Sequence, residues 1–127
     1  MKHERMKRRP IKLKRVYEQP CPEDGLRVLV DRLWPRGLSR PAVAADLWLK
    51  DAAPSVALRR WYGHDPRRWP AFRRKFRAEL AQRPQILHLF DDLRRRTPVT
   101  LLFGAHDEAR NNAVVLRELL DNPGEPR

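Results

Sequence analysis

A chain of 127 residues with 41% apolar and 35% charged side chains is long enough for one buried core and too short for two. Its 28 basic against 16 acidic residues give a formal charge of +12, a property that bears on polyanionic partners and not on fold. A single cysteine, Cys21, excludes an intrachain disulfide framework and a multi-thiolate metal site, and no apolar run approaches a membrane span or a signal segment.

The expected compartment is therefore the cytoplasm, with no membrane partner. Residues 1–10 (MKHERMKRRP) lack apolar periodicity and carry five cations against one acid, so a flexible basic arm is expected there. Residues 11–127 form the single expected domain. Arg supplies 22 of the 28 cations, and its planar guanidinium suits bidentate phosphate or carboxylate recognition. A genome rich in Arg codons accounts for the excess equally well.

Ile11 to Glu18 alternates apolar and polar residues, predicting a half-exposed first strand. Gln19 to Gly25, with two prolines and a glycine, reads as a loop carrying Cys21. Leu26 to Leu33 is the second strand, and its apolar centre Val28-Leu29-Val30 implies burial on both faces and a central position. Beyond Trp34-Pro35-Arg36-Gly37, Ser39 is positioned to cap a helix running to about Lys50.

Ser55 caps a second helix that Gly63 closes. Asp65-Pro66 leads into a third, with Trp69, Phe72, Phe76 and Leu80 facing inward and Pro70 moving the regular start to Trp69 or Pro70. Pro84 opens a fourth, stopped by Arg94-Arg95-Arg96 and Thr97-Pro98. Val99 to Phe103 is the third strand. A last helix runs from Asp107 as N-cap, through Val115, Leu116 and Leu119, to Asn122-Pro123-Gly124. The pattern predicts an α/β fold: a small three-layer domain with a short, mostly parallel sheet of about three strands flanked by helices.

In parallel sheets, ligands bind beyond the carboxyl ends of the strands. Two segments end there, so the expected pocket combines Asp31, Arg32, Trp34 and Arg36 with His106, Asp107, Asn111 and Asn112. Arg32 and Arg36 would clamp a small phosphate- or carboxylate-bearing ligand, of nucleotide type at its largest, and Trp34 would wall it. Against this stand ordinary roles: Arg32 paired with an acid, Trp34 in the core, the asparagines capping a helix. His106 and Asp107 would form an acid–base pair only if both point into the crevice.

His3, His64, His88 and His106 are scattered and no glycine-rich phosphate loop follows a strand, so neither a metal nor a cofactor is expected. Cys21 has no base placed beside it by the sequence, which argues against a nucleophilic thiol. An alternative function without catalysis is nucleic-acid binding through the arm and a basic region comprising Arg59, Arg60, Arg67, Arg68, Arg73, Arg74, Lys75 and Arg77. The interleaved aromatics keep a core-facing helical period, so a stacking platform is not expected there.

Five ordered motifs carry a family resemblance: VDRLWPRG at 30–37, WLKDAAPS at 48–55, LRRWYGHDPRRW at 58–69, FRRKFRAEL at 72–80 and VTLLFGAHDEARNNAVVL at 99–116. On these the chain resembles the YeaO-like group of bacterial proteins, domain of unknown function 488. The resemblance implies a small layered α/β fold and supplies no established reaction, cofactor or catalytic residue. Longer members of the wider group look as though they carry a Cys-His-Arg run where this chain has Asn111-Asn112-Ala113, so thiol chemistry does not carry over.

Overall fold

A computed structural model describes residues 8–122. Most of the expected basic arm, and the Pro123-Gly124 end of the last helix, lie outside the described residues. Arg8 and Arg9 are described: an Arg8 guanidinium nitrogen donates to the Leu120 carbonyl at 2.6 Å, and Arg9 Nη1 donates to the Arg95 carbonyl at 2.7 Å.

Four strands make one parallel sheet: β1 (Ile11–Arg15), β2 (Leu26–Leu29), β3 (Leu47–Trp48) and β4 (Val99–Phe103), in the order β1-β4-β2-β3. The two apolar runs, β2 and β4, occupy the interior positions, where both faces are covered. Leu29, Val30, Leu101 and Leu102 are fully buried as their pattern predicts.

Alternation along the strands divides the core. Val28, Val30, Val99, Leu101 and Phe103 point to one face and meet the apolar stripes of α2 (Val56–Tyr62), α3 (Trp69–Ala81), α4 (Pro84–Arg96) and α5 (Asn112–Asp121). Leu29 and Leu102 point to the other face, against Val16, Val43, Trp34, Leu38 and Trp48. That second layer is thin, since the one α-helix there is the four-residue α1 (Arg40–Val43).

The expected long helix from Ser39 to Lys50 is therefore corrected. Ser39 does cap it, accepting the Ala42 amide, but Ala44 turns left-handed at φ 50° and ends it after one turn. Leu47 and Trp48 then pair with Val28 and Leu29 as the fourth strand. The remaining helix signals hold: Ser55 accepts the Leu58 amide, Gly63 closes α2 at φ 53°, and a 3-10 turn over Pro66–Arg68 delivers the chain to α3 at Trp69. The last helix starts later than expected, with Asn111 and not Asp107 as its N-cap.

At the amino ends of the strands a buried ionic cluster braces the sheet. Asp24 is 5% exposed and accepts from Lys14 Nζ at 3.0 Å, the Cys21 amide at 3.0 Å and the Arg27 guanidinium. Arg27, equally buried, also donates to the Val43 and Ala44 carbonyls at 2.7 and 3.0 Å. Burial opposes ionisation of Asp24, but these donors outweigh it and hold the carboxyl far below its ordinary 3.8.

Candidate functional site

Leu29 pairs with Leu102, and continuing that parallel register by two residues brings Asp31 opposite Gly104. The two meet: Asp31 Oδ2 accepts the Gly104 amide at 2.8 Å. Its other oxygen accepts Asn112 Nδ2 at 3.1 Å, while the same amide nitrogen donates to the Val30 carbonyl at 3.0 Å. The side chain of the first α5 residue thus joins the helix to the end of β2.

Above this junction opens a cleft of about 500 Å³, bounded by the 31–33 segment, the end of α2 and the 104–112 loop. Its apolar lining is Leu33, Pro54, Tyr62, Phe72 and Ala105, and its charged or ionisable lining is Asp31, Arg32, Arg59, His64, His106, Asp107 and Arg110. A concave, largely apolar wall with a few convergent polar groups is the usual form of a small-molecule site. Burial pushes the Asp31 carboxyl above its ordinary 3.8, against the hydrogen bonds from Asn112 and Gly104 and the Coulombic pull of His64 and Arg59.

The expected site residues divide. Asp31, Arg32, His106, Asp107, Asn111 and Asn112 line the cleft. Trp34 and Arg36 do not. Trp34 lies on the thin layer, its ring 5.3 Å from Trp48 in a T-shaped pair and its Nε1 donating to the Leu38 carbonyl at 2.7 Å. Arg36 is exposed, and its carbonyl accepts the Tyr17 hydroxyl at 3.1 Å. One local turn separates these residues from Asp31, because the WPRG segment swings away once β2 ends.

Among the residues that reach the cleft, several have structural work. Arg32 donates to the Pro54 carbonyl at 3.1 Å, tying the 31–33 segment to the start of α2. Asp107 Oδ1 accepts the Ala109 and Arg110 amides at 2.9 and 3.0 Å, and Oδ2 takes the Arg110 guanidinium at 2.9 Å. Those donors depress the Asp107 carboxyl, the Ala109 amide first. Asp107 makes no hydrogen bond to His106, whose Nδ1 instead lies 3.4 Å from an Arg15 guanidinium nitrogen. Asn111, 2% exposed, accepts the Val114 amide at 3.0 Å as the α5 cap.

Arg59, Tyr62 and His64 are among the cleft residues outside the expected pocket. Tyr62 stacks on Phe72 with ring centroids 4.2 Å apart, and its hydroxyl donates to the Arg110 carbonyl at 3.1 Å, so the aromatic wall is fixed at both ends. Burial, then the nearby Asp107 charge, pushes the Tyr62 phenol above its ordinary 10. His64 takes a left-handed φ of 57° directly after Gly63. Two successive left-handed residues turn the chain from α2 back toward the cleft. Left-handed backbone on a residue other than glycine gathers at functional sites, but the sequence alone does not show it.

The eight basic residues of 59–77 do not share one face. Arg59 faces the cleft, Arg73 pairs with Glu118 at 2.7 Å, Arg77 is 5% exposed, and Arg67 is held by Asp65 at 3.1 Å. Arg60, Arg68, Arg74 and Lys75 are exposed, and Arg68 and Lys75 each lie 5.3 Å from the ring of Trp61, itself 37% exposed. Trp61 thus departs from the core-facing period that the other aromatics keep.

Compared with known proteins, residues 10–125 match the family model described as the inactive DUF488-N3 subclade. The chain is 40% identical over 110 residues to the uncharacterized protein YeaO of Escherichia coli strain K12, covering 87% of this chain and 96% of that one. It is also 40% identical over 111 residues to the uncharacterized protein Rv3073c of Mycobacterium tuberculosis H37Rv, covering 87% and 93%. No solved structure matches the chain. With five motifs in order, a parallel α/β sheet and near full-length coverage, the chain belongs to the YeaO-like DUF488 family.

Proposed function

We propose that the cleft at the carboxyl ends of β2 and β4 binds a small ligand bearing a phosphate or carboxylate group and does not transform it. The observation that carries this reading is Arg59. Its side chain lines the cleft and has no hydrogen-bond or ion-pair partner among the described residues, whereas the neighbouring Arg32 and Arg110 are engaged. A guanidinium in that setting is a ready clamp for an anion, with His64 beside it and the positive end of the α5 dipole below. The subclade's description as inactive, and the engagement of Asp107 by its own loop, support binding over acid–base catalysis.

A thermal-shift screen of inorganic phosphate and phosphorylated metabolites tests this. A ligand at 100 times its dissociation constant stabilises the folded chain by about 2.7 kcal/mol. The expected result is a shift with some of these anions that Arg59→Ala abolishes. A shift that survives Arg59→Ala, or none with any anion, rejects the reading.

A second reading keeps the nucleic-acid alternative in reduced form. It rests on exposed Trp61 and the Arg68 and Lys75 cations against its ring, a surface that joins phosphate contacts to one aromatic face.

A further inference from the structure

Resting on the anion-binding reading, the geometry points to a nucleotide with a guanine-type base as the ligand of this cleft, Asp31 accepting the N–H donors of the base while Arg59 and His64 take the phosphate. Three features of the cleft carry the assignment.

The first is an acid where an anion site alone would exclude one. Asp31 lines the cleft at the strand ends, below the cationic lining. An ionised carboxylate offers about four lone-pair positions on its two oxygens. The protein fills one on each, with Gly104 N–H and Asn112 Nδ2–H, so each oxygen keeps accepting capacity for the ligand. Two adjacent acceptors match two adjacent donors. Guanine presents such a pair, a ring N–H beside an exocyclic amine, whereas adenine presents an amine beside a ring acceptor that would face the carboxylate lone pairs.

The second feature is the wall. Tyr62 and Phe72 lie stacked at 21°, with the Tyr62 hydroxyl anchored on the Arg110 carbonyl, and Pro54 and Leu33 add apolar surface. A fixed aromatic and apolar wall suits a flat heterocycle, and it would be wasted on inorganic phosphate or a sugar phosphate. The third is the polarity of the cleft itself. Acceptor and cation line the same cleft, so a fitting ligand carries both hydrogen-bond donors and negative charge, as a nucleoside monophosphate does. A cleft of about 500 Å³ lies within the range of small-molecule and cofactor sites.

A plainer role for Asp31, as internal counter-charge to Arg59 and His64, predicts something different. Neutralising it would then strengthen every anion alike.

The test is a calorimetric series on the whole chain with GMP, AMP, ribose 5-phosphate and inorganic phosphate, for the wild type, Asp31→Asn and Arg59→Ala. The expected wild-type order places GMP about tenfold or more tighter than AMP or ribose 5-phosphate, the discrimination of one bidentate contact. Asp31→Asn should erase the preference for GMP over AMP without weakening ribose 5-phosphate, and Arg59→Ala should weaken all four. Equal wild-type affinity for GMP and ribose 5-phosphate overturns the base assignment, and it leaves the anion site standing if Arg59→Ala still abolishes both. A uniform gain for every anion in Asp31→Asn assigns the residue as counter-charge and likewise overturns it. Absence of binding by any probe rejects both. The wild-type series decides by itself should Asp31→Asn fail to fold, which circular dichroism would reveal.

Discussion

Asp31 and Gly104 are in contact in two senses: the Gly104 amide donates to Asp31 Oδ2 at 2.8 Å, and a Cβ built on Gly104 would lie 3.2 Å from that same oxygen. A hydrogen bond this direct, across the ends of two interior strands, leaves no room for a side chain on the donor.

Gly104→Ala should therefore press a methyl against the carboxylate, which must give by a few tenths of an ångström. Overpacking of this kind costs typically 1–3 kcal/mol, and the Asn112 hold on the other oxygen restricts the escape. We expect a loss of about 1 kcal/mol in urea denaturation, with weaker ligand binding. An unchanged midpoint would show the carboxyl free to move.

Asp31 also sets a pH dependence whose sign is fixed by its burial. Its folded value is raised above the ordinary 3.8, so the native state holds the proton more tightly than the unfolded chain. Its contribution to stability is complete below about 3.8 and is lost as pH climbs through the raised folded value. Asp31→Asn removes this loss. The difference in stability, variant minus wild type, should grow from acidic toward neutral pH in paired denaturation curves; a flat difference contradicts the assignment.

Asp24 behaves in the opposite sense. Its carboxyl is held far below 3.8 by donors from Cys21, Lys14 and Arg27 that overcome burial, so its contribution is present above 3.8 and lost as pH falls through the lowered folded value. Asp24→Asn would leave Arg27, 5% exposed, without its buried counter-charge. Breaking a buried pair from one side costs about 3 kcal/mol or more. Chemical denaturation at neutral pH should show that loss, and the gap to the wild type should narrow under strongly acidic conditions.

Among the described residues, two other than glycine sit in left-handed backbone, Ala44 at φ 50° and His64 at φ 57°. Glycine at either position should stabilise the chain by about 1 kcal/mol, the penalty an ordinary residue incurs there. The two differ in consequence. Ala44→Gly should leave ligand binding as it was, whereas His64→Gly should stabilise the fold and weaken the ligand. Thermal melts with and without phosphate distinguish the cases, and a His64→Gly variant that binds as before removes the imidazole from the site.

For the Trp61 surface, any binding of single-stranded nucleic acid should weaken with salt, and Arg68→Ala with Lys75→Ala should flatten the log–log slope by about 1.4, from the dependence of about 0.7 per phosphate. Anisotropy titrations at several salt concentrations read this directly. No binding at micromolar protein and low salt would assign these cations to covering the exposed indole.

The sequence revealed the two interior strands, because continuous apolar runs leave little ambiguity, and the helix starts at Ser55 and Pro84, because capping chemistry is local. It misled at 39–50. Val43, Leu47 and Trp48 keep a helical spacing, yet Ala44 breaks the helix and the later pair is recruited to the sheet by β2, a tertiary demand invisible in the segment itself. The site was legible where it follows strand ends, as for Asp31 and Asn112. Arg59, Tyr62 and His64 were not, since α2 and the turn that closes it carry them into the cleft and their neighbours in sequence are core and solvent residues. Trp34 and Arg36 were drawn in by proximity along the chain, which a single turn undoes.

The strand order has a consequence for how this chain is made. β1 and β2, both made before β4, do not pair with each other; both pair with β4, which ends at Phe103. Until those late residues emerge, the sheet has no centre. Leu29 and Val30, fully buried in the finished molecule, stay uncovered while some seventy further residues are added, and β2 can recruit only the two-residue β3 in the interval. Non-local parallel pairing of this kind is slow to form and open to aggregation while it waits. The sheet is therefore complete only with β4 between its two partners, and the same insertion brings Gly104 to Asp31 and creates the cleft.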